Sequence, residues 1–210
     1  MRAKILCVLW VACGCFASPA RAQMNVRVFG DAAEESFAAV QTFEAVFGQS
    51  MQPLFGGGVE VTLLSDRVFV DLGASQFKKT GDRVFRNGAQ VFHLGIPMHV
   101  TLTPLELTGG YRFHVRRHSW LVPYAGAGVG WYRYRETSDF ATDDENVDTR
   151  HAGFVVHGGL EFRVHRWVGV GTELAFTHVP GILGAGGISQ AVGENDLGGV
   201  AGRFRIVIGK

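Results

Sequence analysis

The chain has 210 residues, with 20 Lys+Arg against 19 Asp+Glu and a formal net charge of +1, so no basic excess marks a nucleic-acid partner. Its three cysteines, Cys7, Cys13 and Cys15, all sit near the start, which leaves no disulfide framework or thiol chemistry for the remainder. Glycine is frequent, at 29 residues, and segments of helical apolar spacing are scarce, which directs the reading toward an all-β chain.

The first element is a leader. Arg2 and Lys4 precede the apolar run ILCVLWVACGCFA, and SPARA follows with small residues at Ala20 and Ala22, the charge, core and cleavage pattern of a secretory signal peptide. The run falls short of the roughly 20 residues that a bilayer-spanning helix needs. Residues 1–22 are therefore expected to be removed and residues 23–210 to form one domain. A lipid anchor at Cys13 or Cys15 fits poorly, because the residues before them lack the expected Leu. Cleavage takes Arg2, Lys4 and Arg21 from the 20 Lys+Arg and no acid, leaving 17 against 19.

From Asn25 onward, period 2 bounded by turn residues predicts eight segments, at about 25–32, 56–64, 67–76, 97–115, 119–135, 151–164, 167–178 and 197–209. Long connections (33–55, 77–96, 136–150 and 179–196) alternate with tight turns at Ser65-Asp66, Arg116 to His118 and His165-Arg166. That alternation and the even strand count predict an up-and-down antiparallel barrel crossing an outer membrane, short turns in the periplasm and long loops outside. In the first long connection Phe37, Val40, Phe43, Val46 and Phe47 recur at helical intervals. Two readings stay open there, a short amphipathic helix at the barrel rim and a continuation of the first strand.

A soluble sandwich would alternate too, so the faces decide. A membrane strand needs an unbroken apolar outer row, whereas a sandwich strand carries charge on its wet face. The outer rows read Val59, Val61, Leu63; Val68, Val70, Leu72, Ala74; Leu121, Ala125, Ala127, Val129, Trp131; and so on to Val200, Phe204, Ile206, Ile208, with no charge among them. The opposite rows hold Arg27, Asp31, Glu60, Asp71, Glu106, Arg112, Glu161, Arg163, Glu173, Arg203 and Arg205. Charges sealed from water are costly unless paired, so these are expected to pair across a narrow lumen.

The fourth segment, MHVTLTPLELTGGYRFHV, changes the parity of its apolar residues at Pro104. A β-bulge at Thr103 and Pro104 is expected to keep both halves facing lipid. Trp120 and Trp167 follow short turns and Trp131 precedes a long loop, which places an aromatic belt at each end of the apolar band. Gly126, Gly128 and Gly130 share one face of the fifth segment and leave room for bulky neighbours such as Tyr124 and Tyr132.

The stretch PYAGAGVGWYRYRE (123–136) resembles the Pro-Tyr-x-Gly-x-Gly-x-Gly-aromatic strand of small outer-membrane barrels in the OmpW, OmpA transmembrane and opacity-protein superfamily. TLTPLELTGGYRF and the closing LGGVAGRFRIVIGK stand where such proteins keep their fourth and last strands. The resemblance implies an eight-stranded transmembrane β-barrel of a Gram-negative outer membrane. Its implied partners are outer-membrane lipids and lipopolysaccharide, with the barrel-assembly machinery and periplasmic chaperones during biogenesis. Its OmpW side implies a narrow, porin-like channel for small, hydrophobic solutes, and its OmpA side a plugged scaffold. The chain departs from these barrels at its end, where Lys210 replaces the usual terminal aromatic residue.

Chemistry has few carriers. His118-Ser119 is the nearest pair to that of a lipid A deacylase, but it falls in a short turn and lacks an orienting third group. His114, His118 and His165 approach one another on two short turns without an acidic or thiol partner at zinc spacing. The acidic loop with Glu136, Asp139, Asp143, Asp144, Glu145 and Asp148 lacks calcium-loop spacing. No metal, cofactor or catalytic residue is expected. The expected protein is a non-enzymatic membrane scaffold or surface protein with a charge-paired, closed lumen, the channel being the alternative and a lipid A-modifying enzyme a third reading.

Overall fold

The structure is a computed structural model describing residues 24–87, 90–115, 117–139, 146–184 and 187–209. The leader and its cut, Arg116, the loop acids Asp143, Asp144 and Glu145, and Lys210 lie outside the described residues.

Eight strands, β1 (Asn25–Phe37), β2 (Met51–Leu63), β3 (Val68–Asn87), β4 (Gln90–Arg112), β5 (Leu121–Ser138), β6 (Val147–His165), β7 (Val168–His178) and β8 (Gly199–Gly209), close into one barrel. Each pairs antiparallel with the next, and β8 returns to β1. Closure excludes the sandwich. Followed once round from Arg27 through Glu60, Asp71, Thr108, Gly128, Val155, Thr177 and Gly199, the register re-enters β1 at Phe37, ten residues above its start. Eight strands with that stagger enclose a bore that side chains can fill.

The strands outrun the apolar segments at the long-loop end. The stretch read as a linker at 77–96 is instead a continuation of β3 and β4, which stay paired as far as Asn87↔Gln90. In the first long connection both open readings hold in sequence: β1 runs on to Phe37, and α1 (Val40–Phe47) follows. A second short helix, α2 (Gly187–Val192), sits in the last long connection.

The expected bulge at Thr103 and Pro104 is absent. Pairing to β5 passes without a shift through Leu102↔Tyr134, Thr103↔Arg133, Pro104↔Tyr132 and Leu105↔Trp131. Toward β3, Ala74↔Leu105 and Phe77↔Leu102 leave two residues facing two, a break in the ladder beside a residue with no N–H but no extra residue. The apolar parity changes because the surroundings change. Met98, Val100 and Leu102 point inward and are buried, whereas His99, Thr101 and Thr103 point outward above the apolar band.

Inside the band the sequence reading of the faces holds. Val59, Val70, Leu72, Val129, Phe154, Leu174, Phe204 and Ile206 are all more than a third exposed on the outer wall. Trp120, Trp131 and Trp167 are exposed at 49%, 53% and 43%, at the two ends of this wall. Gly128 is required by close approach: a Cβ there would lie 2.0 Å from the Leu107 carbonyl oxygen. Tyr132 folds over Gly130 and Gly153, and Tyr124 over Gly159, so the small residues make space for the inward rings.

Candidate functional site

The bore is filled in tiers, beginning at the short-turn end with a ring of alternating charge. Arg27 and Arg112 each reach both Glu60 and Glu161: Arg27 Nη1 is 2.9 Å from Glu161 Oε1, Arg112 Nη2 is 2.9 Å from the same oxygen, and Arg112 Nη1 is 3.4 Å from Glu60 Oε1. The Arg27–Glu60 contact closes the ring. Its four members come from β1, β2, β4 and β6 and are all buried.

Asp66 seals this ring from below. It sits in the β2–β3 turn, where Leu64, Ser65 and Asp66 all take left-handed backbone angles, an arrangement costing about 1–3 kcal/mol per residue. The turn directs the Asp66 carboxylate at Arg112 Nε (3.4 Å) and at Arg163, contacts that help to offset that cost.

The second tier lies further up. Arg203 Nη1 is 3.0 Å from Glu106 and 3.5 Å from Glu173, and Arg205 Nη1 is 3.0 Å from Asp71. Tyr132 donates to Glu106 at 2.9 Å and Tyr124 to Glu173 at 3.1 Å. His157 Nδ1 lies 2.8 Å from Glu173 Oε2, and the Arg205 guanidinium stacks 4.0 Å from the Phe29 ring centroid. Burying an ion costs several kcal/mol unless its partners are well placed, and the near balance of acids and bases supplies them. The void at this level measures about 30 Å³, the scale of a single water.

Of the eleven inward charges expected to pair, the ten residues Arg27, Glu60, Asp71, Glu106, Arg112, Glu161, Arg163, Glu173, Arg203 and Arg205 take part in these contacts, whereas Asp31 Oδ1 is buried without a hydrogen-bond partner. Sequence reasoning missed Asp66, hidden in a turn, and His157. The latter shares its inward parity with Val155 and Glu161 and was legible from period 2 alone.

Above the charges the interior becomes apolar. Phe37, Phe77, Met98, Val100, Leu102 and Tyr132 form one buried cluster that α1 closes from the top with Phe43 and Val46. The Phe43 ring stacks on Phe37 at 4.2 Å. α1 has no side-chain cap of its own; Glu194, from the loop after α2, accepts from the Gln41 and Thr42 N–H groups at 3.0 and 2.9 Å and so ties the two loops into one lid. Gly48, at φ 76°, ends the helix in the left-handed conformation. Under the lid a cavity of about 380 Å³ opens between Phe43, Val46, Met98, Val100, Tyr134 and Leu183, with Arg83 and Glu136 at its polar side.

The remaining candidates lie at the ends. His118 and Ser119 are in the β4–β5 turn, where the His118 ring meets Trp120 edge-on at 5.7 Å. His114 Nε2 is 3.9 Å from Asp66 Oδ2. In the β7–β8 loop Asp196 accepts from the Val179 and Gly198 N–H groups at 2.7 and 2.8 Å and faces His178. Burial works to raise the Asp196 pKa, but these hydrogen bonds outweigh it and hold the carboxyl below the usual range.

No family model matches the chain, and no curated protein matches it in sequence. Solved structures do match. The outer membrane protein OprG from Pseudomonas aeruginosa superposes with a TM-score of 0.53, at 13% identity, over 89% of this chain and 95% of its own. Neisserial surface protein A gives 0.51 at 11% identity, over 88% and 96%. The chain has the fold of the small eight-stranded outer-membrane β-barrels. At such identities the likeness carries the fold and nothing of ligand or activity. The fold accounts for the inverted polarity found here: an apolar wall outside and paired charge within are what lipid imposes on a closed sheet.

Proposed function

We propose that this protein is an outer-membrane scaffold or surface protein whose lumen is closed, with the long-loop end outside the cell and no catalytic role. The observation that carries this reading is the stacking of three obstructions in one bore: the Arg27–Glu60–Arg112–Glu161 ring, the Arg203–Arg205 tier, and the lid of α1 over Phe37. An ion entering from either end would have to displace paired charges that are buried or, for Arg203 and Glu106, only 14% and 12% exposed. Single-channel recording of the purified barrel in a planar bilayer tests it. The expected result is no steady opening; stable openings that vanish when Arg112 or Arg203 is exchanged for a bulky apolar residue would overturn it.

A second reading, capture of small apolar solutes, is favoured by one observation, the cavity of about 380 Å³ beneath the lid. Its size and apolar walls suit a small ligand, and its charged lining is Arg83 and Glu136 rather than any member of the charged tiers. Liposome uptake of a small apolar tracer by the native barrel, above that of protein-free vesicles, would favour this reading over the closed one.

A further inference from the structure

At the long-loop end the outer wall changes from apolar to charged in one step, and it does so on one side only. Beyond Trp131 the next outward residues of β5 are Arg133 and Arg135. In register, Arg133 faces Arg150 and Arg135 faces Asp148 across β6, while Thr101 of β4 stands between Arg135 and Lys78 of β3. Arg133 grips Asp148 with two nitrogens, at 2.9 and 2.6 Å, and Arg135 Nη2 reaches the same carboxylate at 2.9 Å.

One carboxylate thus orients two guanidiniums whose side chains remain 41% and 52% exposed. Arg150 and Lys78 are exposed as well and form no ion pair with any described residue. At this level four cations face one anion over an arc of four strands, about 14 Å wide at the usual strand spacing, while the exposed Asp82 and Asp139 lie further out beside His93 and His99. The outward rows of β7, β8, β1 and β2 contain no Lys or Arg, and their charged member at the same end is Glu34.

We propose that the β3–β6 arc is a binding site for the phosphorylated headgroup of lipid A, the glycolipid of the leaflet around the long-loop end. Trp131 marks the level where acyl chains give way to headgroups, and the cations begin one outward position above it, at phosphate depth. Three of the four cations are arginines, whose planar forks suit phosphate oxygens, and their spread over four strands accommodates more than one phosphate. A zwitterionic headgroup would offer its cation to an arc whose one carboxylate at that depth, Asp148, is already held by two arginines. The choice of leaflet rests on the outward orientation of the long loops, but the site does not depend on whether the lumen conducts.

The native mature barrel, in nanodiscs of phosphatidylcholine, is titrated with lipid A, with doubly dephosphorylated lipid A and with phosphatidylglycerol, and bound lipid is counted by native mass spectrometry. Lipid A is expected to bind about tenfold or more tighter than either comparator. Arg133→Gln with Arg150→Gln should abolish that preference, whereas Arg117→Gln with Arg166→Gln, which removes the same charge at the other end, should keep it. Equal binding of the dephosphorylated lipid or of phosphatidylglycerol overturns the proposal. So does a preference unchanged in the Arg133/Arg150 variant, or displacement of lipid A by millimolar inorganic phosphate. If that variant does not assemble, the comparison of lipids on the native protein still decides. Since the assay measures neither conductance nor topology in cells, its failure is separate from that of the closed-lumen reading.

Discussion

Along β4 the outward side chains between Leu105 and Tyr111 are Leu105, Leu107 and Tyr111, and the inward ones are Glu106 and Thr108, followed by Arg112. Between Met98 and Thr103 the same strand, with unbroken register toward β5, faces Met98, Val100 and Leu102 inward and His99, Thr101 and Thr103 outward. One half packs like a membrane barrel and the other like a water-soluble protein. The comparison teaches that sidedness is set by the surroundings rather than by the strand: each half puts against its environment whatever that environment solvates, and fills the bore with the rest. The charged tiers hold by pairing, the lid by apolar contact, and the two should fail differently.

The largest effect should come from the charged half. Arg112→Met removes a cation shared by Glu60, Glu161 and Asp66, leaving buried carboxylates short of a partner, and should cost about 3–5 kcal/mol of unfolding free energy in a urea titration of the vesicle-embedded barrel. Adding Glu161→Gln should recover part of that loss, because the two residues belong to one network. Strictly additive losses would show that the ring is not a unit.

The apolar half should answer more locally. Phe43→Ala removes a ring stacked on Phe37 and packed near Phe77, and should take about 3 kcal/mol from the local stability of the lid. The expected signature is loss of amide-exchange protection in Val40–Phe47 while the urea transition of the barrel stays close to that of the native protein. A shift as large as that of Arg112→Met would mean that lid and charged tiers unfold together and that the two halves are one cooperative unit.

A smaller contrast separates the inside of the wall from its outside. Gly128 points inward, and a Cβ there meets backbone at 2.0 Å, so Gly128→Ala should cost about 1–3 kcal/mol. Gly202 points outward with no atom within 4 Å of an added Cβ, so Gly202→Ala should stay within about 0.5 kcal/mol. Equal losses in the same urea titration would mean that β-propensity, not close approach, governs both sites.

How much of this was legible in the sequence follows from the same contrast. Within the lipid band one rule, apolar outward and charged inward with period 2, holds on every strand, and it identified the eight strands and ten members of the charge network from parity alone. It failed at Pro104, because parity was read as though lipid extended along the whole strand. Without the position of the water boundary, an apolar row that changes sides is indistinguishable from a bulge. Asp66 was not legible, since its role depends on three successive left-handed residues that no local pattern signals. The lid was half legible: Val40, Phe43, Val46 and Phe47 announce a helix, but the Glu194 cap that holds it comes from the far end of the chain.

The smallest predicted effect lies at the edge of the lid, where Asp196 joins β7 to β8 through the Val179 and Gly198 amides. Its folded pKa lies below the unfolded value near 3.8, so the carboxylate's stabilising contribution is complete above that value and is lost only as pH falls through the lower folded one. Amide exchange at Val179 and Gly198 should therefore keep its protection from pH 7 to about pH 4 once the intrinsic rate is corrected. Protection should fall below that range, and Asp196→Asn should lower it across the whole range. Loss of protection already between pH 7 and 5, where the carboxylate stays ionised, would mean that Asp196 is not what holds these two amides.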